Sequence, residues 1–161
     1  QNSPTQLTVR SYSYRKACVM SFTSLGPIAA DGVRLPLCSF RVPAGFPSPA
    51  ADHIEKEISL DELLGIRAPH VYLVRIDGDS MQGVGIYSGD LAVVDRAIEP
   101  GHGHVVVALL NNDPICKRLC LRGKSVVLQS ENPKYPDRYV LEGDELTVWG
   151  VITYTVRSHG H

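Results

Sequence analysis

A serine in a turn is the first residue of this chain that could do chemistry. Ser80 lies in the segment Gly78-Asp79-Ser80-Met81, directly after a predicted strand. A serine in a glycine-flanked turn at a strand end is exposed and has backbone N–H groups beside it, as a nucleophile requires. Small polar residues also populate turns for conformational reasons alone. Taken by itself, the turn is a weak indication of a nucleophile.

A lysine on an apolar strand face is the second such residue. In the predicted strand at residues 115–121 (ICKRLCL), the two-residue period places Lys117 on the same face as three large apolar side chains. Arg118 faces the other side with two cysteines. Burial disfavours a charged lysine and lowers its pKa, and a neutral lysine can act as general base for a serine. The alternative is an edge strand from which Lys117 snorkels to water, and the strand pattern alone favours it.

Two histidine pairs resemble short metal-ligand pairs, His102-Gly103-His104 and His159-Gly160-His161. No carboxylate or cysteine at ligand spacing joins either pair. We therefore interpret them as solvated histidines of a loop and of the C-terminus, and we expect no metal site.

Other notable residues have structural explanations. Asp77 and Asp79 flank the serine and could tune it, but acids that form turns are equally expected there. Trp149, Val151 and Tyr154 share the last predicted strand, where core or dimer-interface packing is a simpler explanation than a binding cage.

Bulk properties exclude several functional classes. The chain has 161 residues, 43% of them hydrophobic, which fits one globular domain with a tail. Its net charge of −1 argues against an electrostatic nucleic-acid binder. No apolar run approaches the roughly 20 residues that cross a bilayer. Cys116 and Cys120 would lie about 13 Å apart on one strand, too far for a disulfide, so a reducing, cytoplasmic location is the simpler interpretation.

The first third of the chain predicts a flexible arm followed by short helices. Residues 1–43 have neither helical period nor convincing strand alternation. The proline-containing residues 45–49 form a stiff, extended linker. A short helix is predicted at residues 50–57, after an N-cap at Ser48. The capping-box pattern at residues 59–62 predicts a second helix that ends near Gly65.

From residue 70 onward the sequence predicts strands. Short segments rich in β-branched and aromatic residues are separated by turn residues, so we expect a mainly β, mostly antiparallel fold with short helices only near residues 49–65. The predicted strands are residues 70–76, 91–95, 104–110, 115–121, 126–129 and 146–156.

Four motifs in order resemble one family. They are GFPSPAAD at residues 45–52, GDSM at 78–81, SGDL at 88–91 and KRL at 117–119. The chain resembles the UmuD branch of the LexA/UmuD (S24) Ser/Lys self-cleaving peptidases over about residues 40–157. Agreement across four separated motifs is specific, whereas the Ser-Met pair alone would not be. Residues 1–35 show no match to the family.

The resemblance implies a catalytic role for particular residues. Ser80 would be the nucleophile and Lys117 its general base, while the backbone N–H groups of Ser80 and Asp79 would hold the oxyanion. The scissile bond would be Ala44-Gly45, so self-cleavage would remove an arm of residues 1–44 from a peptidase and dimerisation domain of residues 45–161. The family often has cysteine where this chain has Ala44, and both side chains are small.

The resemblance also implies partners and leaves alternatives open. It implies a homodimer whose self-cleavage is stimulated by a RecA filament on single-stranded DNA. It also implies that the partner in the SOS response is a UmuC-like Y-family translesion polymerase. No cofactor is expected. Only 44 residues precede the expected cut, and they lack helical period, so no sequence-specific DNA-binding domain is expected there. The alternatives are an adaptor of the same fold that does not cleave and a general signal peptidase, which the lack of a membrane anchor disfavours.

Overall fold

The computed structural model is a mainly β protein, as the sequence predicts. It describes residues 24–27, 34–38 and 54–160. All strand pairs in these ranges are antiparallel. The strands are β1 (Ser24–Pro27), β2 (Arg34–Cys38), β3 (Ile54–Ser59), β4 (Val71–Arg75), β5 (Leu91–Asp95), β6 (Val105–Leu110), β7 (Asp113–Arg122), β8 (Ser125–Gln129), β9 (Arg138–Tyr139) and β10 (Leu146–Val156).

Eight strands form one sheet in the order β1-β4-β5-β10-β6-β7-β8-β9, and β2 and β3 form a separate two-stranded sheet. The insertion of β10 between β5 and β6 joins the β4–β5 hairpin to the β6–β7–β8 meander. The last strand of the chain thus connects the half that carries Ser80 to the half that carries Lys117. Among the described residues, no helix has the length and apolarity to span a bilayer.

Apolar clusters cover both faces of the large sheet. On β6, Val107 belongs to a cluster around Met81 and Val94, whereas the neighbouring Val106 and Ala108 belong to a second cluster around Leu128. Successive residues of a strand face opposite sides, so the near-continuous apolar run of β6 is explained by burial on both faces.

One short helix, α1 (Leu60–Leu64), follows β3 and confirms the capping-box prediction. The Ser59 hydroxyl accepts a hydrogen bond from the N–H of Glu62, and Gly65 ends the helix with a φ of 63°. Left-handed backbone of this kind favours glycine, because glycine lacks a Cβ.

The helix predicted at residues 50–57 is wrong where the structure describes it, because residues 54–59 form strand β3, paired with β2. The apolar residues Ile54 and Ile58 are four apart, a spacing that fits both the helical and the strand period. The choice therefore depends on a pairing partner that the local pattern does not contain.

Other predicted elements agree with the structure or lie outside it. The six strands predicted after residue 70 are all present, with ends within two residues of those expected. Strands β1 and β2 lie where the sequence showed no strand alternation, and β9 was not predicted. The proposed scissile bond Ala44-Gly45, the linker at residues 45–49 and residues 50–53 lie outside the described residues.

Candidate functional site

Ser80 lies in the connection between β4 and β5. Backbone hydrogen bonds close the base of this loop, since Ile76 donates its N–H to Asp90 O (2.9 Å) and Gly89 donates to Ile76 O (2.8 Å). Met81, only 2% exposed, packs into the core beside Ile76. The burial of Met81 anchors the loop directly beside Ser80, which itself remains partly accessible.

The backbone around Ser80 has free donors. Within the described part of the chain, neither the N–H of Asp79 nor that of Ser80 donates a hydrogen bond. The Ser80 carbonyl, in contrast, accepts a hydrogen bond from Glu131 N (2.9 Å). The residue is thus held through its carbonyl while the two N–H groups predicted to form an oxyanion hole are available.

Lys117 lies on β7 and lines the same cavity as Ser80. This Ser80 cavity has a volume of about 270 Å³ and is lined by residues 76–81, residues 114–117 and Tyr135. Burial lowers the pKa of Lys117, against opposing effects of Cys116 and Asp137. The structure therefore places the two predicted side chains at one cavity and makes Lys117 easier to deprotonate than an exposed lysine.

The Lys117 ammonium is hydrogen-bonded to a different serine. Its Nζ donates to Ser130 Oγ at 2.9 Å, and its Nζ lies 5.6 Å from the centroid of the Tyr135 ring. Among the described residues, no hydrogen bond joins Ser80 Oγ to Lys117 Nζ. Direct proton transfer between the two would require one of the side chains to reorient. Catalytic hydrogen bonds are often absent or long in unliganded enzymes, so this arrangement does not argue against the pair.

Residues 130–135, which follow β8, contact both the loop that carries Ser80 and the strand that carries Lys117. The 130–135 segment follows β8, and Asn132 donates through Nδ2 to Asp79 O (2.9 Å) while the Tyr135 hydroxyl is hydrogen-bonded to the Asp79 carboxylate. Glu131 also accepts, through its backbone oxygen, the N–H of Gly83 (2.6 Å). Asn132-Pro133 is a turn-forming dipeptide, but no local pattern indicates contacts with residues about 50 positions away.

The Ser80 cavity shares lining residues with a second one. The second cavity, about 250 Å³, shares Ile76, Asp77 and residues 114–116 with the first. Strand β7 pairs with β6 along residues 113–118 but with β8 only from Arg118 onward. Among the described strands, none pairs with the other edge of residues 113–117 where it borders both cavities, and an extended chain could add to it there.

The thiol nearest to the site is unsuited to nucleophilic chemistry. Cys116 lines both cavities, and burial raises its pKa to about 12. Only the thiolate is a strong nucleophile, so Cys116 stays inactive near neutral pH. Cys116 and Cys120 are both free thiols, which confirms that they do not pair with each other.

The first histidine pair has structural roles. His102 Nδ1 accepts the N–H of Leu121 (2.9 Å), and His104 Nδ1 accepts the N–H of Gly101 (3.0 Å). The interpretation as merely solvated side chains is therefore incomplete for these two. Within residues 24–27, 34–38 and 54–160, no group of three potential ligands is positioned to hold a metal ion.

The flanking acids and the last strand also have identifiable contacts. Asp77 accepts a hydrogen bond from the Ser88 hydroxyl (3.4 Å), while Asp79 is held by the 130–135 segment. Val151 is in the core, and Trp149 packs against the Tyr72 ring at 5.4 Å. Tyr154 is 45% exposed.

Comparisons with known proteins agree with this architecture. The model of the family described as Peptidase S24-like matches residues 36–153. Protein SamA of Salmonella typhimurium is 43% identical over 118 residues, which cover 73% of this chain and 81% of the relative. Protein MucA of Escherichia coli is 34% identical over 126 residues, 78% of this chain and 86% of the relative. The LexA repressor of Bordetella avium is 39% identical over 125 residues, 78% of this chain and 58% of the relative.

The family match spans well over half of the chain and includes both sides of the Ser80 cavity. The relatives extend the match across most of the chain. The chain therefore belongs to the Peptidase S24-like family and is a UmuD-like protein of the self-cleaving peptidase kind.

Proposed function

We propose that this protein is a self-cleaving serine endopeptidase in which Ser80 is the nucleophile, Lys117 is the general base and Ala44-Gly45 is the bond cut. One observation carries the proposal. Ser80 and Lys117 line the same cavity, where burial lowers the pKa of the lysine. A serine hydroxyl needs an adjacent base to act as a nucleophile, and a neutral lysine supplies one.

The reaction would proceed through an ester. Neutral Lys117 takes the proton of Ser80 Oγ as this oxygen bonds to the carbonyl carbon of Ala44. The N–H groups of Ser80 and Asp79 stabilise the oxyanion. The bond to the Gly45 nitrogen then breaks, and the amine leaves with the proton held by Lys117. Water activated by the same lysine hydrolyses the ester and restores Ser80.

The substrate would be an extended segment of the chain itself. Residues 45–49 contain two prolines, which disfavour helix and keep the backbone extended. The edge of β7 at residues 113–117, which no other described strand covers, offers backbone hydrogen bonds to such a segment beside Lys117. Because the substrate is tethered, its effective concentration is high, and a weak catalyst can cut it once.

The biological role follows from the family. We infer that the uncut protein is a cytoplasmic homodimer, and that a RecA filament on single-stranded DNA shifts its arm into the cleavable position. The processed form would act as accessory subunit of a UmuC-like Y-family polymerase during SOS mutagenesis. The similarity to SamA and MucA supports this role.

Intact-mass analysis tests the proposal. The purified protein is incubated at alkaline pH, and separately with RecA, ATP and single-stranded DNA. We expect two fragments that meet at Ala44-Gly45. Ser80→Ala and Lys117→Ala should each slow their appearance by at least about a thousandfold.

The matched control is Lys124→Ala, which removes an exposed lysine from the β7–β8 turn and should leave cleavage unchanged. A parent protein that stays intact under both conditions would instead favour the adaptor, which binds the polymerase or RecA without cutting itself. Cleavage that persists in Lys117→Ala would show that another group is the base.

A further inference from the structure

A buried hydroxyl outside the predicted dyad contacts the lysine directly. Ser130 is 8% exposed, and its Oγ accepts the hydrogen bond of Lys117 Nζ at 2.9 Å. Ser130 directly follows the last residue of β8, and β8 is the strand that pairs with β7. None of the four sequence motifs includes it.

We propose that Ser130 is a positioning residue that holds Lys117 Nζ in the orientation needed to accept the proton of Ser80. This proposal rests on the proposed function, because it assigns a partner to the base of the same reaction. Ser130 acts on the reaction only through its hydrogen bond with Lys117 Nζ.

The backbone at Ser130 links the position of Lys117 to that of Ser80. Ser130 contacts Lys117 through its side chain, and the next residue, Glu131, donates its N–H to the carbonyl of Ser80 (2.9 Å). Only one peptide unit separates the contact with the base from the contact with the nucleophile. The distance between the two catalytic groups is therefore controlled by the same short piece of chain.

The chemistry of a neutral lysine fits this arrangement. A neutral amine has two N–H donors and one lone pair. If one N–H stays on Ser130 Oγ, rotation about the last carbon–nitrogen bond is restricted, and the lone pair can be directed at the Ser80 hydroxyl. The hydroxyl of Ser130 can serve as acceptor in both protonation states of the lysine.

Other groups around the Lys117 amine do not replace this contact. The Tyr135 ring faces it at 5.6 Å and gives attraction without a directional acceptor. Cys116 and Asp137 act on the lysine through charge, and Asp77 and Asp79 line the same cavity. The only side chain in the described ranges that accepts a hydrogen bond from Lys117 is that of Ser130.

Removal of the Ser130 hydroxyl should change the pKa of Lys117 in a definite direction. An acceptor stabilises an ammonium more than a neutral amine. Ser130→Ala removes this acceptor while the burial of Lys117 remains, so the lysine should titrate at lower pH than in the parent protein. The rate of self-cleavage at high pH should fall by about tenfold to a hundredfold, because the amine is no longer oriented.

Two measurements on the full chain test the proposal. The titration of Lys117 is followed by NMR of protein carrying ¹³C-labelled lysine, with Lys117→Arg to assign the signal. The pH profile of self-cleavage is measured by intact mass. Ser130→Thr keeps a hydroxyl at the site and should restore both properties. Ser125→Ala, an exposed serine at the other end of β8, is the matched control and should change neither.

Each outcome decides the proposal. The proposal is supported if Ser130→Ala lowers the titration midpoint of Lys117 and also lowers the plateau of the cleavage rate at high pH. Ser130→Thr should restore both. A slower plateau with an unchanged midpoint would indicate a general structural effect and overturn it, and so would an unchanged rate. If the parent protein does not cleave itself, the proposed function fails, whereas the titration still tests the contact between Ser130 and Lys117.

Discussion

Lys117 illustrates how the surroundings of a side chain change its protonation. Burial lowers the pKa of the lysine, and Ser130 and Tyr135 hold the amine from two directions. Cys116, the next residue on the strand, is affected in the opposite sense, since burial raises the pKa of its thiol to about 12. Both shifts arise because burial disfavours the charged form of each group. The lysine is therefore easier to deprotonate than an exposed lysine, and the thiol is harder to deprotonate than an exposed cysteine.

The direction of the Lys117 shift predicts a pH profile. Self-cleavage without RecA should accelerate as pH rises, because only neutral Lys117 can accept a proton. Its lowered pKa places the midpoint below the ordinary lysine value of about 10.4. Intact-mass kinetics between about pH 6 and pH 10 measure this profile.

Lys117→Arg is the control for the pH profile. Arginine stays protonated throughout this range, so the variant should be inactive at every pH. A parent rate that is flat with pH, or a midpoint at the ordinary lysine value, would contradict Lys117 as a base with a lowered pKa.

At the scale of elements, the site depends on contacts between the β4–β5 connection and the 130–135 segment. The backbones of these two segments come into direct contact at Gly83. It lies in the 3-10 turn Gln82–Val84, and its N–H donates to Glu131 O at 2.6 Å. A Cβ at this position would lie 2.4 Å from the same oxygen, closer than real Cβ contacts allow. A glycine is needed here for space, so that the two segments can remain in contact.

Gly83→Ala should separate the two segments. We expect a loss of about 1–3 kcal/mol in the free energy of unfolding, as for other overpacked positions, and slower self-cleavage. Urea unfolding gives the first quantity, and intact mass gives the second under conditions where the variant is fully folded. Slower cleavage in fully folded protein is expected because Glu131 also holds the Ser80 carbonyl.

Val84→Ala is the matched control, since it removes an exposed side chain from the same turn. It should change stability and cleavage much less than Gly83→Ala. Equal effects of the two variants would show that the turn as a whole, rather than the approach to Glu131, matters.

At the scale of the whole molecule, one ion pair connects the C-terminal end of the chain to the loop that carries Ser80. Asp90 is 3% exposed and closes the base of that loop. Arg157, directly after β10, donates to both carboxylate oxygens at 2.7 and 2.6 Å and also to Gly85 O (2.7 Å). Its guanidinium lies 3.9 Å from the centroid of the Tyr87 ring. A buried carboxylate needs such partners to remain charged.

Arg157→Ala should lower the Tm at neutral pH by several degrees, because it leaves Asp90 buried without its cation. The hydrogen bond from Arg157 holds the pKa of Asp90 below its usual value. The contribution of the pair is therefore present above the unfolded Asp value of about 3.9 and is lost as the pH falls through the lowered folded value. Circular-dichroism melts of parent and variant should converge at acid pH.

Arg122→Ala is the control for this pair. Arg122 is half exposed and lies 4.0 Å from Asp137, so its removal should change the Tm little at any pH. If Arg157→Ala has no larger effect than Arg122→Ala at neutral pH, the pair with Asp90 does not stabilise the fold.

Local patterns in the sequence determined much of this protein. The six strands predicted after residue 70 and the helix that begins after Ser59 are present, because alternation and capping are interactions between near neighbours. Local pattern only made Ser80 and Lys117 candidates, because exposed turn serines and snorkelling lysines are common. The resemblance to the family, carried by four separated motifs, assigned their roles. Their placement at one cavity agrees with the family pattern.

Only the tertiary structure decided the rest. Residues 54–59 are a strand because β2 pairs with them. Within the part of the chain that the structure describes, residues 113–117 of β7 pair with β6 alone, because β8 begins its pairing at Arg118. The contact of Ser130 with Lys117 joins different strands, and that of Tyr135 with Asp79 joins residues 56 positions apart. Such contacts depend on strand order and register, which a local pattern does not encode.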